Sequence, residues 1–333
     1  MTGVVARRDL RTPAVYALQT LAVAVCYYAG GRLGLLYELR VEASVVSPVW
    51  PPTGIAVASL LLLGPRVWPG IALGALLVIA HLTDLGPTSL GLLFANTAAP
   101  LCAYWLLRRA GFRADLGRLR DCLSLVFLGG FAAMLVSSTI AAGLLVVSGD
   151  LPSGAFWSVW LPWWVGDAMG VLLIAPLLLI LPRVRSPVRW SRWREATALV
   201  VVAAVLVPLV THTQGSLLFV VYPLLIWSAL RFELPGSTLC ALFASFLATA
   251  AATERTGPFD HLSDMHIMIT LHAFNAAAAL TSLLLSAVIT EQHNTRRSVE
   301  LACKELVEVL EHLTAGEPAP HGRPQREQGP GAR

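Results

Sequence analysis

Asp167 stands in the stretch FWSVWLPWWVGDAMG, residues 156 to 170, inside an apolar run that continues to Leu181. A carboxylate there is a hydrogen-bond acceptor, a counter-ion or a proton carrier. Carried about 16 Å along a helix from Phe156, at 1.5 Å per residue, it would lie near the centre of a bilayer. An exposed Asp at that depth costs at least about 2.5 kcal/mol. It therefore has to face other helices, either as packing between them or as part of a ligand or proton-linked site. Trp160, Trp163 and Trp164 precede it by seven, four and three residues, on its own face of the helix. They are read as the wall of a pocket whose floor is the carboxylate, whereas Trp157 fits the aromatic belt at a membrane interface.

Arg32, in GGRLGLL, is the natural partner by charge for Asp167 or for an anionic ligand; its other course is to snorkel to the headgroups. Gly30, Gly31 and Gly34 beside it would let another helix approach closely. Two lone asparagines, Asn96 in LFANTAAPLCAYWLL and Asn275 in LHAFNAAAALTSLLL, fall at a similar depth, about 12 to 14 Å from the same membrane face. The expected site is an outward-facing cavity lined by Trp50, Asn96, Trp160, Trp163, Asp167 and Asn275, with Arg32 at its rim. It suits binding of a small anionic or aromatic ligand rather than catalysis. No G-x-x-x-x-G-K-[ST], G-x-S-x-G or H-E-x-x-H occurs. His81, His212, His261, His266 and His272 form no i, i+4 pair with a carboxylate, so no metal or cofactor is expected. Cys26, Cys102, Cys122, Cys240 and Cys303 include no C-x-x-C and suggest neither a disulfide framework nor a metal site.

The elements that position these residues are membrane helices. The 333 residues are 56% hydrophobic and 13% charged, with mean hydropathy +0.68, against about 25% charged residues in a soluble globular chain. Hydropathy and the breaks between runs give ten spans: residues 13 to 36, 52 to 63, 68 to 82, 88 to 107, 121 to 147, 156 to 181, 196 to 212, 217 to 230, 236 to 252 and 266 to 290. With the N-terminus inside, 21 of the 24 Lys and Arg fall on the cytoplasmic side, leaving Arg32, Arg40 and Arg255 on the other. One missed crossing would swap every later loop. The expected fold is therefore an all-α polytopic protein of the inner plasma membrane with both termini cytoplasmic. Its basic loops suit anionic lipid and imply no nucleic acid. The first apolar run is long and lacks an A-x-A-like site, so it reads as an uncleaved span.

Three spans are shorter than the roughly 20 residues of a straight crossing. The second and third form WPPTGIAVASLLLLGPRVWPGIALGALL, the eighth and ninth YPLLIWSALRFELPGSTLCALFASFL. Each pair has an aromatic-Pro entry, an inner turn with Arg and Pro-Gly, and a small-residue return, followed by a span with a lone Asn. Spans one to four and seven to ten thus suggest a parallel internal repeat. Paired interrupted segments also occur around the central sites of transporters.

VWPPTGIA at 49 to 56, LLLLGPRVWPGIALGALL at 60 to 77 and FWSVWLPWWVGDAMGVLLIAPLLL, in this order, resemble the membrane-associated sensor (MASE) family of the first type. The resemblance covers roughly residues 15 to 292. It implies an integral membrane sensory domain, in bacteria usually N-terminal to histidine kinase or cyclic-dinucleotide output domains, with no known ligand. The family often has a Glu shortly after the span-four Asn, whereas here Asn96 is followed by Ala98, Ala99 and Pro100. Some 43 residues follow the last span, too few for an ordinary output domain, so a stand-alone sensor lacking its own output is expected.

The expected organisation is a cytoplasmic N-terminus at 1–12, a membrane sensor domain at 13–290, a cytoplasmic helix at 291–315 and a disordered tail at 316–333. Val299, Ala302, Leu306, Val309 and Leu313 follow a 3-4-3-4 spacing that suits a short coiled coil or an amphipathic surface helix. His312 has no ATP-binding domain in the chain to make it a phosphoacceptor. The function read from these features is non-enzymatic. An extracytoplasmic small ligand is sensed, and a homodimer or a separate histidine kinase or other signalling protein takes the output. The alternative is a small secondary transporter or permease component.

Overall fold

A computed structural model describes residues 3–36, 39–41, 44–183, 193–213 and 217–314. The chain is an all-α polytopic membrane protein, and among the described residues eight helices are long and apolar enough to cross a membrane. In chain order they are α1 (Gly3–Gly34), the short α2 (Pro51–Leu63), α3 (Trp68–Leu82) and α4 (Pro87–Arg109). A bent span follows, made of α5 (Leu119–Ser124), a π-helical stretch (Leu125–Ala132) and α6 (Ala133–Ser148). Then come α7 (Phe156–Ile180), α8 (Trp193–His212), α9 (Val221–Thr253) and α10 (Asp264–Thr314). Between α1 and α2 a small antiparallel hairpin pairs β1 (Leu39–Val41) with β2 (Ser44–Val46), Leu39 opposite Val46. The chain divides into two compact units, Met1–Thr290 and Glu291–Arg333. The expected tail at 316–333, the basic loop at 184–192 and the side chains of His312 and Leu313 lie outside the described residues.

The two interrupted pairs form as the sequence dictates. α2 starts on Pro51 and Pro52, which fit a first helical turn because their missing N–H groups have no intrahelical partner there. It stops after thirteen residues at Gly64, whose φ of +89° suits glycine, and Pro65 bars continuation. In α9 the break is at Glu233, φ +55° and ψ −146°, two residues before Pro235. A Cβ on Gly236 would lie 2.3 Å from Phe232 Cβ and 3.2 Å from Ser228 Oγ. A straight helix would separate residues 228 and 236 by about 12 Å, so α9 folds back on itself. Its two limbs and α2, with the other helices, make up the ten helical segments expected from sequence.

Many large apolar side chains face outward, such as Leu18, Leu21 and Val25 on α1 and Val200, Val205 and Leu209 on α8. Against lipid tails these gain nothing by mutual burial, so the helices must hold by close packing and interhelical hydrogen bonds. Small residues provide the approach. Gly30 and Gly34 of α1 meet the start of α2, and Gly31 meets Val78 of α3. The tightest seam lies between α2 and α7. There a Cβ on Gly54 would lie 2.1 Å from the Gly170 carbonyl oxygen, and one on Gly170 only 1.9 Å from that of Trp50. The Trp50 N–H donates to the Gly166 carbonyl at 3.0 Å, a backbone bond between the two elements. The main core joins α4 to α10, and a second cluster of Val23, Tyr27, Ala56, Leu60, Ile71 and Val78 ties α1 to α2 and α3.

Candidate functional site

Glycine at 166 and 170 is what brings Asp167 into reach of α2, because α7 carries only a hydrogen on the two turns that meet the loop before α2. The Asp167 carboxylate accepts from Thr53 Oγ of α2 at 2.7 Å and from Ser137 Oγ of α6 at 2.5 Å. Both hydroxyl residues are buried. One side chain thus joins three helices near mid-span. Ser137 Oγ also lies 3.0 Å from the Met134 carbonyl, and a hydroxyl has a single hydrogen. With Asp167 ionised, Ser137 donates to the carboxylate. With Asp167 protonated, the carboxyl can donate to Ser137, which then turns its hydrogen to Met134.

Beside this carboxylate lies a cavity of about 160 Å³, lined by α1, the segment from β2 to Trp50 ahead of α2, α3, α4, α6 and α7. Tyr27, Ser47, Trp50, Asn96, Ser138 and Trp163 supply its polar and aromatic surface, and Leu35, Val78, Ile79 and Leu92 much of the rest. Its polar groups are held in place. Tyr27 donates to Asn96 Oδ1 at 3.2 Å. Asn96 Nδ2 donates to the Leu92 carbonyl at 2.9 Å, and Trp163 Nε1 to the Val45 carbonyl at 3.0 Å. Such fixed side chains keep the cavity's shape without a ligand in it.

Of the seven residues expected from sequence, Trp50, Asn96, Trp163 and Asp167 line this cavity together. Three lie elsewhere. Arg32 is exposed and donates to Tyr28 at 3.3 Å, one turn back on α1. Its long side chain takes the course to the surface, and Asp167 finds hydroxyls instead. Trp160 sits two turns from Asp167 and leans toward the N-terminus of its helix, as helical side chains do. Its ring reaches Thr139 of α6, with a 3.0 Å hydrogen bond, and stacks on Trp164 at 5.5 Å. Trp164 in turn donates to the Phe131 carbonyl, 2.8 Å, in the π-helical stretch. Asn275 is fully buried on α10, and neither amide atom has a hydrogen-bond partner among the described residues. α10 reaches the cavity wall only near its start, where Met268 packs with Val46 and Trp163, about 10 Å along the helix from Asn275.

Thr53, Ser137, Tyr27 and Ser138 were not expected from sequence. Thr53 sits inside WPPTGIA and Ser137 in the SST triplet of an otherwise apolar span. Hydroxyls at the depth of a lone carboxylate are the signal that could have found them. No Lys or Arg is among the described lining residues. Among the described residues no three His, Cys, Asp or Glu side chains come together as a metal site would require.

A Probable diguanylate cyclase DgcE of Escherichia coli (strain K12) is 27% identical over 253 residues, which are 70% of this chain and 22% of that protein. The chain therefore spans about a fifth of the length of this curated relative. No solved structure matches. The MASE1 family model matches residues 19–293, from the middle of α1 to just past the membrane part of α10, and takes in every residue of the cavity. The chain belongs to the MASE1 family of membrane-associated sensor domains.

Proposed function

We propose that the chain senses a small ligand bound in the Asp167 cavity and passes its occupancy through α10 to a second copy and on to a signalling protein. The observation that carries this reading is the position of Asp167. A ligand that touches its carboxylate touches a side chain that hydrogen-bonds α2, α6 and α7 together. Binding there shifts the balance between helix arrangements by the difference in its affinity for them. The DgcE likeness supports an output in cyclic-dinucleotide signalling, and a histidine kinase or another signalling protein would serve equally.

The membrane placement follows the charges. The N-terminal face carries Arg66, stacked over Tyr16 at 5.5 Å, Arg109 over Trp105 at 3.7 Å, and the ion pair of Arg231 with Glu195. We place that face in the cytoplasm and the β1–β2 hairpin, with the cavity, outside. Alkaline phosphatase fused after Asp260 is expected to be active and after Glu291 inactive. Activity at both positions would overturn this orientation.

α10 continues as one helix from Asp264 to Thr314, and Val299, Leu306 and Val309 on it are exposed. Two heptads pair weakly in water by themselves, so a seam there needs a second copy held in the same membrane. In a Cys303→Ser background, cysteine at Leu306 is expected to cross-link strongly in native membranes and cysteine at Glu308 weakly. Equal yields would remove this route for the signal.

A further inference from the structure

The cavity's lining has given most of its hydrogen-bond donors away. Thr53 and Ser137 point theirs at Asp167, and Tyr27 and Trp163 direct theirs to Asn96 and the Val45 carbonyl. Ser138 donates to the Met134 carbonyl at 3.1 Å, Ser47 to backbone carbonyls, and one amide hydrogen of Asn96 to Leu92. Beyond the Trp50 indole N–H and the second amide hydrogen of Asn96, what remains open is acceptor capacity. A carboxylate offers about four lone-pair positions, and the two hydroxyls use two of them. The rings of Tyr27, Trp50 and Trp163 in the lining add aromatic surface, and the face of such a ring attracts a cation when water is excluded.

We infer that the ligand is a small organic cation, a protonated amine with a compact apolar body, held by Asp167 and these aromatic rings. The inference rests on the proposed reading of the cavity as a ligand site and adds its chemistry. Charge balance favours it, since Asp167 is the one ionised-type side chain of the lining besides Tyr27, and no described Lys or Arg neutralises it there. Size limits the body. A cavity of about 150 Å³ holds benzene, so one of about 160 Å³ takes a single six-membered ring or its acyclic equivalent. The apolar wall of Leu35, Val78, Ile79 and Leu92 suits such a body and would reject a polar amine such as an amino sugar.

A charge series on one skeleton tests this. Cyclohexylammonium, cyclohexanol and cyclohexanecarboxylate differ mainly in the group offered to Asp167. Binding to the purified full chain in lipid nanodiscs is read from tryptophan fluorescence and from the shift in thermal unfolding. The ammonium ion is expected to bind at least about tenfold more tightly than the alcohol, and the carboxylate not measurably, because a charge-assisted contact is roughly twice as strong as a neutral one. In Asp167→Asn the ammonium should lose its advantage over the alcohol. Alcohol binding as tight as ammonium, or tighter carboxylate binding, would overturn the cation while leaving the cavity a ligand site. No binding by any of the three to folded protein would overturn both readings.

Discussion

Gly170→Ala is expected to destabilise the bundle by about 3 kcal/mol, the upper end of what overpacking costs. The added methyl would lie 1.9 Å from the Trp50 carbonyl oxygen, 2.7 Å from its carbon and 3.5 Å from its Cα. These are backbone atoms at the entry to α2, fixed further by the Trp50 to Gly166 bond, so no side-chain end can swing aside. Relief requires α2 to move off α7, which would lengthen the Thr53 to Asp167 contact and open the cavity floor. Gly143→Ala on α6 is the control, since nothing lies within 4 Å of its Cβ position. It should be neutral or stabilising by up to about 1 kcal/mol, as replacing glycine within a helix usually is. Thermal unfolding in nanodiscs compares the two. Equal midpoints would mean that α2 and α7 are not in contact at this seam. Gly54→Ala meets the same seam from the other side, 2.1 Å from the Gly170 carbonyl, so its cost should not add to that of Gly170→Ala.

That seam also shows what the sequence displays and what it conceals. Spans were legible because hydropathy and the placement of Arg are one-dimensional signals, and Gly64 and Pro235 mark hairpins by local chain chemistry. The pair Gly166 and Gly170 around Asp167 is a small-x-x-x-small pattern, readable in principle as the face that another helix must meet. Which helix meets it is not local. Asn96 and Asn275 both stand among small and apolar residues at a similar expected depth, yet one shares the cavity and the other is enclosed on α10. The order in which helices pack separates them, and no property of either residue encodes it. Arg32 was paired with Asp167 by charge alone. A flexible side chain near a helix end reaches the surface at little cost, whereas Thr53 and Ser137 are fixed at the carboxylate's depth. The Trp ladder was read as one wall because residues 160, 163 and 164 share a helix face. Trp163 and Trp164, about 100° apart around the axis, instead part to either side of Asp167. One goes to the β2 carbonyl of Val45 and the other to the π-helical stretch.

Asp167→Asn should leave the fold intact and remove the ligand response, and this split decides whether the carboxylate serves packing or sensing. Asparagine has the same shape. Its Oδ1 can still accept from Thr53, and its Nδ2 can donate to Ser137, whose own hydrogen has the Met134 carbonyl waiting at 3.0 Å. Both interhelical contacts therefore survive. Interhelical hydrogen bonds in membranes average only about 0.6 kcal/mol, so exchanging two of them moves stability by about 1 kcal/mol at most. The ligand loses its charged partner, and a charged hydrogen bond contributes about 1.5 to 3 kcal/mol, so binding should weaken roughly tenfold to more than a hundredfold. Thermal unfolding and binding of cyclohexylammonium, measured on the same nanodisc preparation, give both quantities. A steep fall in the midpoint with binding unchanged would make Asp167 a structural tie between α2, α6 and α7. An unchanged or higher midpoint with binding lost, together with loss of any ammonium-dependent change in Leu306 cross-linking, would place the start of the signal at this carboxylate.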